Sequence, residues 1–156
     1  MKIRMIRKQA EILFEDGSSL EGFFFLSPTS AHRLGPESME ELLNGDRSFL
    51  PLELNREDVA LVSRNAIVMV LTAEKEEETI PRGLAKIAAE VTLRSGKTFQ
   101  GDIRHDLPET HSRLSDFVNR SGTFFHIEIA SQDCFVATAF VKLIKPMDSA
   151  KRSVSA

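Results

Sequence analysis

The chain contains no Trp, no Tyr, one Cys and four His among 156 residues, so few of its side chains are suited to nucleophilic or metal chemistry. With Cys134 alone, no internal disulfide can form. No G-x-S-x-G, P-loop, G-x-G-x-x-G or H-E-x-x-H motif occurs. We therefore expect a protein that is not an enzyme and that needs no cofactor.

Long apolar segments are also absent. No run approaches the roughly 18–20 residues that a membrane-spanning helix needs. The basic start MKIRMIRKQAEILF lacks the apolar stretch of about 7–15 residues found in secretory signals. These features predict a cytoplasmic protein that does not bind a membrane.

What remains is the composition of an ordinary globular chain, with 42% apolar and 28% charged residues and a net charge of -3. The charge is uneven: residues 1–78 carry 9 basic and 15 acidic side chains, whereas residues 79–156 carry 11 and 8. The basic residues are scattered, whereas a nucleic-acid interface needs them concentrated on one face. Charge alone therefore does not favour nucleic acid as a partner.

An internal repeat organises the sequence. AEILFEDGSSLEG at 10–22 matches AEVTLRSGKTFQG at 89–101, and LLNGDRSFLPLEL at 42–54 matches FVNRSGTFFHIEI at 117–129. The offsets of 79 and 75 residues are nearly equal and the blocks keep their order. We predict two copies, at about 5–72 and 84–145. The corresponding domains are 1–73 and 84–147, with a charged Pro-Gly linker at 74–83 and a flexible tail at 148–156.

Each copy is predicted to be mostly strand. It begins with a hairpin around Asp16-Gly17-Ser18 or Ser95-Gly96-Lys97, in which a three-residue loop would pair Phe14 with Leu20. A capping box at Ser38 and Glu41 predicts a helix of about two turns after the second strand. Three further strands follow in each copy, giving an all-β chain with a short helix between strands two and three.

These Gly-bent hairpins resemble a known motif. ILFEDGSSLEG and VTLRSGKTFQG are similar to the first motif of the Sm-like (LSm) family, and VALVSRNAIVMVL and CFVATAFVKLIKP are similar to the second. The resemblance implies two tandem, small, five-stranded barrels of the Sm-like or SH3-like kind. SMEELLN and FLPL are also similar to segments of short bacterial proteins without a characterised role.

Comparison of the copies suggests an interaction surface. Outward-facing Leu13, Phe23 and Phe25 stand where the second copy has Thr92, Asp102 and Arg104. Such an apolar patch is covered either by the rest of the chain or by a partner. We predict binding of a protein partner or of a second copy, through a set that also includes two residues of the short helix: Leu13, Phe23, Phe25, Met39 and Leu42.

Two other functions compete with this interpretation. The Sm-like resemblance implies RNA binding through Arg64 and Asn65, which lie at the turn before the last strand of copy one. A metal site could instead form from His105 and His111 in the carboxylate-rich loop of copy two, although their spacing fits no recognised metal motif. Alignment of Cys134 with Val59 predicts a small core residue at that position.

Overall fold

The computed structural model describes residues 5–31, 34–55, 58–72, 85–105, 118–119 and 122–147. These residues form an all-β protein with ten antiparallel strands in one sheet. The strands are β1 Ile6–Phe14, β2 Ser19–Leu26, β3 Phe49–Asn55, β4 Asp58–Ser63, β5 Ile67–Thr72, β6 Ala85–Leu93, β7 Thr98–His105, β8 Phe124–Ile129, β9 Gln132–Ala137 and β10 Val141–Pro146. Within this part of the chain, no helix is both long and apolar enough to cross a membrane.

The strand order shows how the two sequence copies are joined. It runs β10-β6-β7-β8-β9-β5-β1-β2-β3-β4, so each copy contributes five consecutive strands in the same relative order. The copies meet where β5 pairs with β9, the fifth strand of one copy against the fourth of the other. We call this pairing the internal junction. It leaves β4 and β10 at the two ends of the sheet.

In the described part of the chain, two apolar clusters form the core, and each contains residues of both copies. The first contains Ile12, Phe24 and the helix, together with Phe124 and Phe135 of the second copy. The second cluster consists mostly of second-copy residues but includes Val68 and Met69 of β5. Each copy alone is about 70 residues, a size at which a lone core is marginal. The shared clusters therefore stabilise both copies together.

Glycines set the shape of each hairpin. Gly17 and Gly96 have φ of 89° and 94°, the left-handed conformation that such turns require. The pairing predicted between Phe14 and Leu20 is wrong: Phe14 bonds to Ser18, and Leu20 opposes Ile12. The turn is thus centred one residue earlier, on Glu15 to Gly17.

A second pair of glycines lets neighbouring strands cross closely. A Cβ atom on Gly22 would lie 2.6 Å from the Glu53 carbonyl oxygen, and one on Gly101 would lie 2.6 Å from that of Glu128. Any larger side chain would push β2 away from β3, or β7 away from β8. The Gly retained in both copies of the repeat therefore permits a close backbone approach.

The short helix α1, Met39–Leu43, follows β2 as expected, but it is only five residues long. Ser38 and Glu41 form the predicted capping box, in which the Ser38 hydroxyl accepts a bond from the Glu41 amide. The helix ends at Asn44. Because one face is buried in the first cluster, packing holds this helix despite its length.

Candidate functional site

The outward patch predicted on β1 and β2 is largely covered within the chain. Leu13 is partly buried against the second core cluster, most of whose residues belong to the second copy. Phe23 and Phe25 are half-buried, and the Arg7 guanidinium lies 4.4 Å from the centre of the Phe23 ring. Arg7 also pairs with Glu53 on the neighbouring strand. We call Phe23 and Phe25 the outward ridge. The Arg7 and Glu53 side chains provide polar contacts beside it.

Met39 and Leu42 occupy the interior. They are 0% and 4% exposed and belong to the first core cluster, on the buried face of α1. A partner could not reach them without unfolding the helix. Their apolar spacing therefore marks the core-facing side of the helix.

Arg64 and Asn65 lie in a single 3-10 turn, Arg64–Ala66, between β4 and β5. The Arg64 guanidinium donates to the carbonyls of Leu43 and Gly45, at the end of α1. Its Nε is buried and has no hydrogen-bond partner among the residues that the structure describes. Asn65 is exposed. Arg64 thus satisfies carbonyl groups at the end of the helix. This is a structural role for the side chain that the Sm-like resemblance implies would bind RNA.

Most of the predicted metal loop lies outside the described residues. His111 and the side chain of His105 are among the parts that are not described, whereas the backbone of His105 forms the end of β7. The described part contains no group of three metal-ligating side chains.

Cys134 is buried, as expected for a core residue. Burial and the neighbouring Asp133 carboxylate raise the pKa of its thiol to about 12. The strand register corrects its alignment, however. Cys134 opposes Ile127 as Ala60 opposes Leu52, so its counterpart is Ala60 and Val59 corresponds to Asp133.

Three of the seven large apolar side chains that are exposed in the described part of the chain lie together at one end of the sheet. Phe49 on β3 and Val59 and Leu61 on β4 are 55%, 53% and 67% exposed. At the opposite end, Leu143 of β10 is 54% exposed. We call Phe49, Val59 and Leu61 the β4-edge patch. Sequence reasoning did not identify these residues.

Their counterparts in the other copy are buried. By strand register, Phe49 corresponds to Phe124 and Leu61 to Phe135, which are 1% and 2% exposed. Likewise Leu143 corresponds to Met69, which is 5% exposed. The difference is position: β9 and β5 cover each other at the internal junction, whereas β4 and β10 have no strand on their outer sides in the described part of the chain.

The internal junction shows how such edges fit together. Its paired residues are Met69 with Val136, Val70 with Phe135, and Leu71 with Cys134. Next to these pairs, the Thr72 hydroxyl donates to the Asp133 carbonyl at 3.2 Å, and the Gln132 amide donates to the Thr72 carbonyl at 3.0 Å. The junction therefore combines apolar packing with directed polar contacts.

A polar contact from α1 reinforces the junction. The Asn44 side chain accepts a bond from the Phe124 amide at 2.8 Å and donates to the Phe124 carbonyl at 3.2 Å. Both backbone groups at the start of β8 are thus satisfied by one side chain. The residue that ends the helix of copy one also fixes the first residue of β8, whose ring fills the core of copy one.

A cleft of about 500 Å³ lies beside the junction, between the hairpin turns of the two copies. Its apolar base includes Leu13, Val68 and Phe140, and its rim carries Asp16 and Arg94. The Ser18 hydroxyl and amide bond to the Asp16 carboxylate and lower its pKa. The cleft is thus lined by residues of both copies.

Among the described residues, the sheet therefore ends in two strand edges. β4 lies at one end with the β4-edge patch, and β10 lies at the other end with the exposed Leu143. The geometry is suited to strand pairing with another chain. Comparison with protein-family models, with characterised proteins and with solved structures finds no match for this chain.

Proposed function

We propose that this protein is a non-enzymatic self-association module that binds a second copy of itself through the β4-edge patch. In this proposal each sequence copy is one small five-stranded barrel, with a short helix between its second and third strands. One observation carries the proposal: Phe49 and Leu61 are exposed at the sheet end, while their counterparts Phe124 and Phe135 are buried at the internal junction.

The energetics favour covering this patch. Burying a large apolar side chain contributes about 1.5–3 kcal/mol. Phe49 and Leu61 are more than half exposed in the single chain, and they lie beside the outer backbone groups of β4. A strand added along β4 would bury the side chains and satisfy those backbone groups at once.

The chemistry of the patch favours protein over nucleic acid as its partner. Val59, Ala60, Leu61 and Val62 form an uninterrupted apolar stretch, with Asp58 as the charge at its start. Phosphate recognition needs cationic side chains instead. Arg64, the cationic side chain that the Sm-like resemblance implies would bind RNA, donates hydrogen bonds to the carbonyls of Leu43 and Gly45.

Size-exclusion chromatography with light scattering tests the proposal. The wild type should elute as an assembly larger than one 17.5 kDa chain, and Leu61→Asp should reduce it to that mass with an unchanged circular dichroism spectrum. The control variant carries Phe23→Asp and Phe25→Arg, which copies the second repeat on the outward ridge. It should associate like the wild type. Loss of association only in this control would place the interface on the ridge and contradict the proposal.

A further inference from the structure

The proposed self-association leaves open which surface covers the β4-edge patch, and the internal junction identifies it. We propose that the β10 edge of a second copy pairs with β4, so that chains associate head to tail and repeat between molecules the junction that joins the two copies within one. This inference rests on the proposed function and specifies its partner surface.

The register of this contact follows from the internal pairs. β5 corresponds to β10 and β4 corresponds to β9, as their pairings with β1, β6, β3 and β8 show. The internal pairs Met69–Val136, Val70–Phe135 and Leu71–Cys134 thus translate into intermolecular ones. The expected pairs are Leu143 with Val62, Ile144 with Leu61, and Lys145 with Ala60.

The backbone of β10 is oriented for this pairing. The Met147 amide donates inward to the Ala88 carbonyl at 2.8 Å. Because backbone groups alternate in direction along a strand, those of Ile144 point away from β6 and towards the outer edge. They are therefore available to a strand at the position that Leu61 would occupy. Pro146 has no N–H, so it ends the pairing on this side.

Charge selects this partner edge over alternatives. Pairing of two β10 strands would bring two edges that each carry Lys142 and Lys145 next to each other, which is unfavourable. Against β4, Lys145 instead lies diagonally across from Asp58, an opposite charge. The two halves of the chain follow the same pattern, because residues 1–78 have a net charge of −6 and residues 79–156 of +3. Head-to-tail contact places unlike halves together.

A head-to-tail contact uses two different surfaces, so each added chain still presents one unpaired edge. Association therefore continues beyond two chains until the assembly closes on itself. A symmetric pairing of two β4 strands would stop at a dimer. This difference makes the two modes experimentally distinct.

Edge-specific variants test the mode by sedimentation velocity. Leu61→Asp disables β4, and Leu143→Asp disables β10 at a side chain that is 54% exposed. Each variant alone should remain at 17.5 kDa, and an equimolar mixture should form a heterodimer of twice that mass. If Leu143→Asp alone associates like the wild type, or if the mixture stays monomeric, the inference is wrong although self-association stands. A wild type that is itself monomeric would instead refute the proposed function.

Discussion

The side-chain amide of Asn44 holds both backbone hydrogen-bonding groups of Phe124, a residue 80 positions away in the sequence. This contact joins the end of α1 in copy one to the first residue of β8 in copy two. Because the Phe124 ring also lies in the first core cluster, the two copies share both a polar anchor and an apolar core. The two copies are separate segments of the sequence, but they depend on each other for their stability.

Removing the Asn44 side chain should therefore destabilise the whole chain. Asn44→Ala leaves the Phe124 amide and carbonyl without their partner, and we expect a loss of about 2 kcal/mol in the free energy of unfolding. Urea denaturation monitored by circular dichroism measures it. Asn65→Ala, at an exposed position, is the matched control and should change stability by less than about 0.5 kcal/mol. Equal stabilities for the two variants would contradict the role of Asn44.

Gly122→Ala should disturb the same contact from the other side. A Cβ atom at this position would lie 2.7 Å from Asn44 Oδ1, so the amide must move. We expect destabilisation by Gly122→Ala in the wild type but much less in an Asn44→Ala background. A double-mutant cycle in which the two effects simply add would show that they act independently.

Gly101→Ala should weaken the pairing of β7 with β8. Its added methyl carbon would lie 2.6 Å from the Glu128 carbonyl oxygen and 2.7 Å from Ile127 Cγ1, so the strands must separate. A lower unfolding temperature, by several degrees or more, is the expected result. Gly45→Ala is the control, since its Cβ would meet nothing closer than 3.4 Å. A Gly101→Ala protein as stable as the wild type would refute the close-approach argument.

Cys134 should be inert in the folded protein. With its pKa raised to about 12, the thiol carries almost no thiolate at pH 8, and burial blocks reagents. A thiol-reactive chromogenic disulfide should modify it only after denaturation. Modification of the native protein within minutes would contradict its burial.

The same shift predicts a pH dependence. Below pH 9, the ordinary pKa of the thiol, the group is neutral in both folded and unfolded chains. As the pH rises from 9 towards 12, only the unfolded chain ionises, so the stability falls. Cys134→Ala, which places at this position the residue found at its counterpart Ala60, should lose less stability over this range. Identical pH profiles for both proteins would rule out this contribution.

The turn between β8 and β9 offers a stabilising substitution. Ala130 and Ser131 have positive φ values of 50° and 67°, an unfavourable conformation for both residue types. Asn-Gly is the preferred pair in such turns. Ala130→Asn with Ser131→Gly should raise the free energy of unfolding by about 0.5–1 kcal/mol. Thermal unfolding checks this, and a lower midpoint than the wild type would contradict the turn assignment.

Local sequence signals predicted the elements of the fold well. The Gly turns, the capping box at Ser38 and the all-β class follow from short-range chemistry, and each is found in the structure. The hairpin register was wrong by a small shift, because the left-handed Gly17 is the last residue of the three-residue loop, whereas the prediction placed it at the centre. A sequence pattern constrains which residues alternate, but it does not define where the turn closes.

The candidate site could not be predicted in the same way. Leu13 and Met39 are apolar and periodic, which is true of both core and interface residues, and only the fold shows that copy two and the helix packing cover them. Leu61 is exposed because β4 ends the sheet, whereas its counterpart Phe135 is buried because β9 does not. Edge position is a property of the whole topology. An alignment of β4 with β9 would have matched Leu61 with Phe135, but it would not have shown which of the two is exposed.

Amide hydrogen exchange measured at several protein concentrations tests the central claim most directly. If β4 and β10 repeat the internal junction between molecules, their outer amides, including that of Ile144, should become protected as concentration rises. Those of β5 and β9 should be protected at every concentration, because the chain itself pairs them. Exchange at β4 and β10 that stays fast and unchanged over the whole range would contradict the account.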